Sequence, residues 1–144
     1  MKYSVITFGC RVNQADSLGI EEDFLARGDV AAPPEESDVV IVNTCSVTAS
    51  ADQAARQTIR RVARVNPNAK NVVTGCYASR RPDDLVELPG VIRVVSNDDK
   101  GRLVPLVVPL TLFQHYVRKH RIAYLERQVY LNPHPVELML RNHV

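Results

Sequence analysis

The feature that most constrains this chain is one arrangement used three times: a short β-branched run, a cysteine near its carboxyl end, then a helical pattern. Lys2 to Phe8 is a β-branched and aromatic run closed by Gly9, with Cys10 next, which predicts a strand and a turn. From Ala15 the spacing becomes helical, with Leu18, Ile20, Phe24 and Leu25 on one side. Glu21, Glu22 and Asp23 cluster beside them, and Gly28 is the stop. Asp38 to Val42 is a continuous apolar run suited to a buried parallel strand, followed by Asn43-Thr44-Cys45. A helix is predicted from Thr48 to Asn66, opened by Ser50 and Gln53 at capping-box spacing and stopped by Pro67. The third unit has a strand at Asn71 to Thr74, then Gly75-Cys76, then a short helix from Pro82 to Leu88. A final strand, Val91 to Val95, ends at Ser96-Asn97.

Strands alternating with helices indicate βαβ units, a parallel sheet and right-handed crossovers that put helices on both faces. The expected fold is α/β, a flavodoxin-like doubly wound parallel sheet over residues 1–100. Ligands of such sheets bind beyond the carboxyl ends of the strands, where Cys10, Cys45 and Cys76 are all expected.

Composition bounds the rest. A chain of 144 residues that is 45% hydrophobic and 24% charged can bury one ordinary core and is not disordered by composition. Its net charge of +2 is too small to make the whole surface a nucleic-acid binder, but the charge is uneven. Residues 1–100 carry 12 basic and 14 acidic side chains. Residues 101–144 carry 6 and 2, together with all four histidines. This segment reads as an atypical basic tail, partly helical or disordered. Phe113, Val117, Tyr124, Leu125 and Leu131, with Arg118-Lys119-His120-Arg121, can form a basic amphipathic helix for RNA or a protein partner. His115 and His120 are five apart, the wrong spacing for two ligands on one helix face. The longest apolar stretch, Leu103 to Phe113, is about half the ~20 residues of a membrane span and contains two prolines. No secretory signal is legible at the N-terminus, so no membrane association and a cytoplasmic location are expected.

Three cysteines make an odd set, which argues against a closed disulfide framework. They lie 35 and 31 residues apart and form no CxxC pair. Their equivalent places in three units are the stronger signal, because the topology should bring three thiols together near helix N-termini, which favour thiolates and anionic cofactors. Three thiolates suit an iron–sulfur cluster better than structural zinc, since residues 1–100 contain no histidine. A [4Fe–4S] cluster on three cysteines would leave one iron free for a small ligand. The same residues also read as ordinary buried cysteines at strand ends.

Neighbouring residues carry double readings too. Arg56, Arg60 and Arg64 recur every four residues, with Arg61 adjacent, and form either an RNA-facing stripe or a solvated helix face. Arg80-Arg81 can hold an anionic substrate or simply be solvated. Asn13, Asn43 and Thr44 can hydrogen-bond cluster sulfides or serve turns and caps, and Tyr77 can shield a cluster from water or pack in the core.

The motifs Phe8-Gly9-Cys10-Arg11-Val12-Asn13-Gln14, Val42-Asn43-Thr44-Cys45-Ser46-Val47-Thr48, Ala51-Asp52, Arg56-Gln57-Thr58-Ile59-Arg60-Arg61 and Val73-Thr74-Gly75-Cys76-Tyr77-Ala78 occur in order. Pro89-Gly90-Val91 and Asn97 follow them. Together they resemble the N-terminal domain of the radical SAM methylthiotransferases, over about residues 1–100. Val12-Asn13-Gln14 is most similar to the branch that methylthiolates N6-threonylcarbamoyladenosine at position 37 of tRNA. Ser79 stands where that branch usually has Gln. The resemblance implies that Cys10, Cys45 and Cys76 ligate an auxiliary [4Fe–4S] cluster that handles the inserted sulfur, and that tRNA is a partner.

Family members continue into a radical SAM barrel, whose CxxxCxxC motif binds a second [4Fe–4S] cluster and cleaves S-adenosylmethionine, and then into an RNA-binding module. The three cysteines of this sequence are already assigned, so the motif is absent from it. The expectation is an incomplete chain, with no catalytic residue of its own and inactive alone, for which a separately encoded radical SAM domain is a candidate partner. Two other expectations compete: a non-catalytic α/β module that binds RNA or protein with inert cysteines, and a non-functional truncated gene product. Iron retained after anaerobic reconstitution separates the cluster domain from the inert module, and rapid proteolysis back to about Lys100 would support a truncation.

Overall fold

The structure, a computed structural model, describes residues 1–104. Five strands, β1 (Lys2–Thr7), β2 (Val30–Ala31), β3 (Val39–Thr44), β4 (Lys70–Gly75) and β5 (Val91–Val94), form one sheet. Its order is β2-β1-β3-β4-β5 and every pairing is parallel. This is the flavodoxin-like doubly wound arrangement. The helices are α1 (Arg11–Ala26), α2 (Ala49–Val65), α3 (Cys76–Arg80) and α4 (Asp83–Val86), with 3₁₀ turns at Pro34–Glu36 and Asn97–Arg102.

The two-residue period of a strand sorts the central side chains onto the two faces. Val40 and Val42 of β3 join Val73 under Ala55, Ile59 and Val62 of α2, with Tyr77, Ala78 and Leu85 beyond. Val39 and Ile41 point the other way and join Val72 under Ile20 and Phe24 of α1, with Tyr3, Val95, Leu103 and Val104. β3 is buried along its whole length, as the middle strand of a covered parallel sheet must be. Tyr3 stacks on Phe24 with ring centroids 4.5 Å apart. Burial pushes the Tyr3 phenol above its ordinary range, helped by Glu21 and Asp29.

Several boundaries differ from the sequence expectation. Helix α1 begins at Arg11 rather than Ala15, and Cys10 is its N-cap residue. Its buried face is Asn13, Ser17, Ile20 and Phe24, while Leu18 and Leu25 are 60% and 58% exposed. The apolar pattern misleads because the first turn packs on the polar carboxyl ends of strands. The N-cap of α2 is Thr48, whose hydroxyl accepts from the Ala51 N–H at 3.1 Å, rather than the Ser50–Gln53 pair. β3 runs on through Asn43 and Thr44, and β2 is too short to leave a periodic signal. The short helix expected from Pro82 to Leu88 is the shorter α4, with α3 ahead of it.

The tail readings on residues 105–144, including the basic helix and the histidines, lie outside the described residues. Among the described residues no helix is long and apolar enough to cross a membrane.

Candidate functional site

The parallel register places the three cysteines at one edge. In the β3–β4 ladder Thr44 faces Gly75, so Cys45 and Cys76 are the next residues of two paired strands. In the β1–β3 ladder Thr7 faces Asn43, and the Phe8 N–H still donates to the Asn43 carbonyl at 2.8 Å. Gly9 therefore runs beside Cys45. A Cβ on Gly9 would lie 2.4 Å from both Cβ and Sγ of Cys45, and its φ of +91° is one that side-chain-bearing residues rarely adopt. Gly75 is held as tightly: at φ +101°, a Cβ would stand 2.1 Å from the Thr44 carbonyl oxygen. Each contact joins residues immediately before or at a cysteine. Cys45 is buried, whereas Cys10 and Cys76 are exposed at the rim.

The polar residues that flank the cysteines brace these loops. Asn13, buried in the first turn of α1, donates from Nδ2 to the carbonyls of Phe8 and Thr44, both at 2.9 Å. Asn43 donates to the Asn13 carbonyl at 2.9 Å and to Ser17 Oγ at 3.0 Å. Thr44 Oγ1 donates to the Thr74 carbonyl at 2.5 Å and accepts from the Ala78 N–H at 3.3 Å. In these contacts Asn13, Asn43 and Thr44 brace the loops against one another. Asn43 Oδ1 and Ser46 Oγ, on either side of Cys45 in sequence, are buried without a hydrogen-bond partner among the described residues.

The thiols differ in environment. The backbone N–H groups of Asn13 and Val12, at the start of α1, hold the Cys10 thiol below its ordinary range. Asn97 Nδ2 stands 3.7 Å from Cys76 Sγ, within reach of an N–H···S hydrogen bond. This contact was missed from sequence, where Asn97 stood out only by its place just past the last strand and at the end of the ordered motifs.

Other predicted residues are spread more widely. Tyr77 is fully buried in the α2-side core, bonded to Arg56, whose guanidinium also lies 5.7 Å from the ring centroid. It donates to Asp84 at 3.1 Å, and burial raises its phenol above the ordinary range. Arg56 is thus half-buried and engaged, while Arg60, Arg61 and Arg64 are exposed. Since α2 starts near the cysteine edge and rises about 1.5 Å per residue, Arg64 is roughly 22 Å along the axis from Ala49. The exposed arginines lie toward the opposite edge of the sheet. Arg80 pairs with buried Asp52 at 2.6 Å and Arg81 with Asp84 at 3.6 Å.

Residues 2–97 match the profile described as "Uncharacterized protein family UPF0004". The chain belongs to this family, the N-terminal domain of methylthiotransferases. Residues 96–135 match a second profile, "Protein of unknown function (DUF1722)". Among curated relatives, the chain is 39% identical over 108 residues to a threonylcarbamoyladenosine tRNA methylthiotransferase MtaB of Aquifex aeolicus (strain VF5), covering 74% of this chain and 26% of the relative. The protein of that name from Bacillus subtilis (strain 168) is 38% identical over 99 residues, 68% of this chain and 22% of the relative. A ribosomal protein uS12 methylthiotransferase RimO of Chloroflexus aurantiacus (strain ATCC 29366 / DSM 635 / J-10-fl) is 33% identical over 120 residues, 77% of this chain and 26% of the relative. The chain thus spans about a quarter of the length of the curated relatives it matches.

The donor set can be tested against the group this family implies. Among the described residues no three Cys, His, Asp or Glu side chains are gathered closely enough to hold a single metal ion. That counts against a zinc site, whose thiolates share one ion's coordination sphere. A four-iron cluster takes each thiolate on a different iron, so its ligands need not be gathered so closely. Three thiols carried on one edge of the sheet, two of them exposed, match such a group in donor type.

Proposed function

We propose that residues 1–100 are the auxiliary [4Fe–4S] cluster-binding domain of a tRNA methylthiotransferase, with Cys10, Cys45 and Cys76 as the thiolate ligands. The observation that carries this reading is the packing of Gly9 on Cys45 and of Gly75 on Thr44, which sets three cysteine loops side by side at the carboxyl edge of the sheet. The substrate we propose is N6-threonylcarbamoyladenosine at position 37 of tRNA, in line with the names of the MtaB relatives.

When bound, the cluster would supply an iron without a protein ligand and with it the sulfur to be transferred. The chain's own residues do the positioning. Asn13 and Asn43 fix the first and second loops to each other, and Thr44 fixes the second to the third. The N–H groups opening α1 favour the thiolate at Cys10. The burial of Cys45 puts that ligand out of water.

S-adenosylmethionine and the second [4Fe–4S] cluster would be held by a radical SAM domain outside these 144 residues, which contain no CxxxCxxC motif. The boundary proposed in this reading is near Lys100, shortly after residues 96–97, where the two family matches meet, and the working location is the cytoplasm. A second reading, a binding module with three free thiols, draws on the absence of an ion-sized donor group among the described residues.

One experiment separates the two readings. The chain and its Cys45→Ala variant are reconstituted anaerobically with iron and sulfide, and both elements are counted with the visible spectrum. About four iron and four sulfide per chain, lost in the variant, is the result expected. No iron in the wild type would leave the binding-module reading.

A further inference from the structure

We infer that Asn97, whose side-chain amide faces the Cys76 sulfur, is a positioning residue that orients this thiolate and raises the reduction potential of a cluster bound to it. The inference rests on the function proposed above and deepens it.

The amide is aimed from two sides. Asn97 opens the 3₁₀ turn that follows β5, at the same sheet edge as the cysteines. Its backbone N–H donates to Ser79 Oγ at 2.8 Å, and Ser79 Oγ donates in turn to the Gly75 carbonyl at 3.0 Å, one residue before Cys76. The middle of the turn is held by Lys100, whose ammonium meets Asp16 of α1 at 2.7 Å. The turn is therefore tied to α3 at its start and to α1 through its middle. This anchorage leaves Nδ2 of Asn97 3.7 Å from Cys76 Sγ. Ser79, the position that departs from the usual residue of the branch, is the relay that holds Asn97 to the cysteine's own helix.

The physical consequence has a sign. Reduction adds negative charge to a cluster and its thiolates, so an N–H aimed at a ligating sulfur stabilises the reduced form more than the oxidised one. Removing the donor makes the potential more negative. Cys76 is exposed, so water also donates to its sulfur and the effect of one amide is modest.

The test uses the full 144-residue chain reconstituted anaerobically as wild type, Asn97→Ala, Asn97→Asp and Ser79→Ala. Asn97→Ala deletes the N–H donor without adding charge and carries the test. Asn97→Asp keeps the shape of the side chain but also adds a carboxylate charge that pushes the potential negative by itself, so it is read only beside Asn97→Ala, and all four proteins keep the three cysteines. Iron content, thermal midpoint and cluster reduction potential are measured for each. The expected result is wild-type iron and melting in both Asn97 variants. Their potentials move negative by up to about tenfold in the reduction equilibrium, about 59 mV for one electron. Ser79→Ala moves the same way by less. Loss of iron from an Asn97 variant that melts as wild type does also supports the positioning role. Variants with wild-type iron and wild-type potential overturn the inference while leaving the cluster assignment standing. A wild type that takes up no iron overturns both, and the wild-type arm alone reveals that case.

Discussion

Substituting Gly9 by Ala tests whether the loop that carries Cys10 is truly seated on Cys45. Two costs add. At φ +91° an L-residue is strained by about 1–2 kcal/mol. The new methyl would also sit 2.4 Å from Cβ and Sγ of a buried side chain, and such overpacking costs about 1–3 kcal/mol. Gly28→Ala is the matched control, because Gly28 has a similar φ of +81° and no atom within 4 Å of the added Cβ. The change in unfolded-chain entropy from Gly to Ala applies to both and cancels in the comparison. Urea denaturation of the cluster-free chain under reducing conditions should show Gly9→Ala less stable than Gly28→Ala by about 1–3 kcal/mol. Iron uptake should fall in Gly9→Ala alone, since the loop must move away from Cys45 to relieve the clash. Equal destabilisation in the two variants would refute the packing argument.

Asn13→Ala leaves the buried Thr44 carbonyl and the part-buried Phe8 carbonyl without their side-chain donor and should cost about 1–3 kcal/mol in the same denaturation experiment. Thr48→Ala removes the cap of α2 and should cost about 1 kcal/mol, whereas Ser50→Ala should stay within about 0.5 kcal/mol; equal effects would return the cap to Ser50. Cys10 should be alkylated by iodoacetamide at lower pH in the folded chain than in urea, read residue by residue by mass spectrometry. A folded-state value below the unfolded one contributes stability that is present above the unfolded pKa and is lost as pH falls through the folded one. Coincident pH profiles in urea and buffer would remove the helix-terminus argument.

The fold was legible because β-branched runs and helical spacing alternate so regularly, and because a continuous run such as Val39 to Val42 suits only a covered strand. The cysteines were legible through their equivalent places in that alternation. What escaped was local. The helical spacing is read only from Ala15, so the burial of Asn13 and Ser17 on α1 was not legible; they are buried because the first turns of α1 cover strand-end carbonyls. The spacing puts Leu18 and Leu25 on one side with Ile20 and Phe24, but the buried stripe runs Asn13, Ser17, Ile20 and Phe24 at three- and four-residue steps and leaves both leucines outside it. Arg56 was grouped with Arg60 and Arg64 by spacing alone. Only the fold shows that Tyr77, 21 residues away, takes it out of that stripe.

The cysteine edge divides labour between residues that hold it and residues that act there, and the division can be measured. Backbone groups at strand ends must be paired when buried. Here Asn13, Asn43, Thr44 and two close-packed glycines meet that demand, leaving the sulfur atoms largely out of the bracing network. Cys10 and Cys76 are exposed, so replacing either with Ser should change the stability of the cluster-free chain by no more than about 0.5 kcal/mol. Cys45→Ala deletes one buried atom and should cost about 1 kcal/mol. Asn13→Ala should cost more than any of the three although it removes no thiol. If the cysteine variants instead unfold the cluster-free chain, the thiols are structural residues of the sheet edge, and their place at three equivalent loops reflects packing rather than ligation.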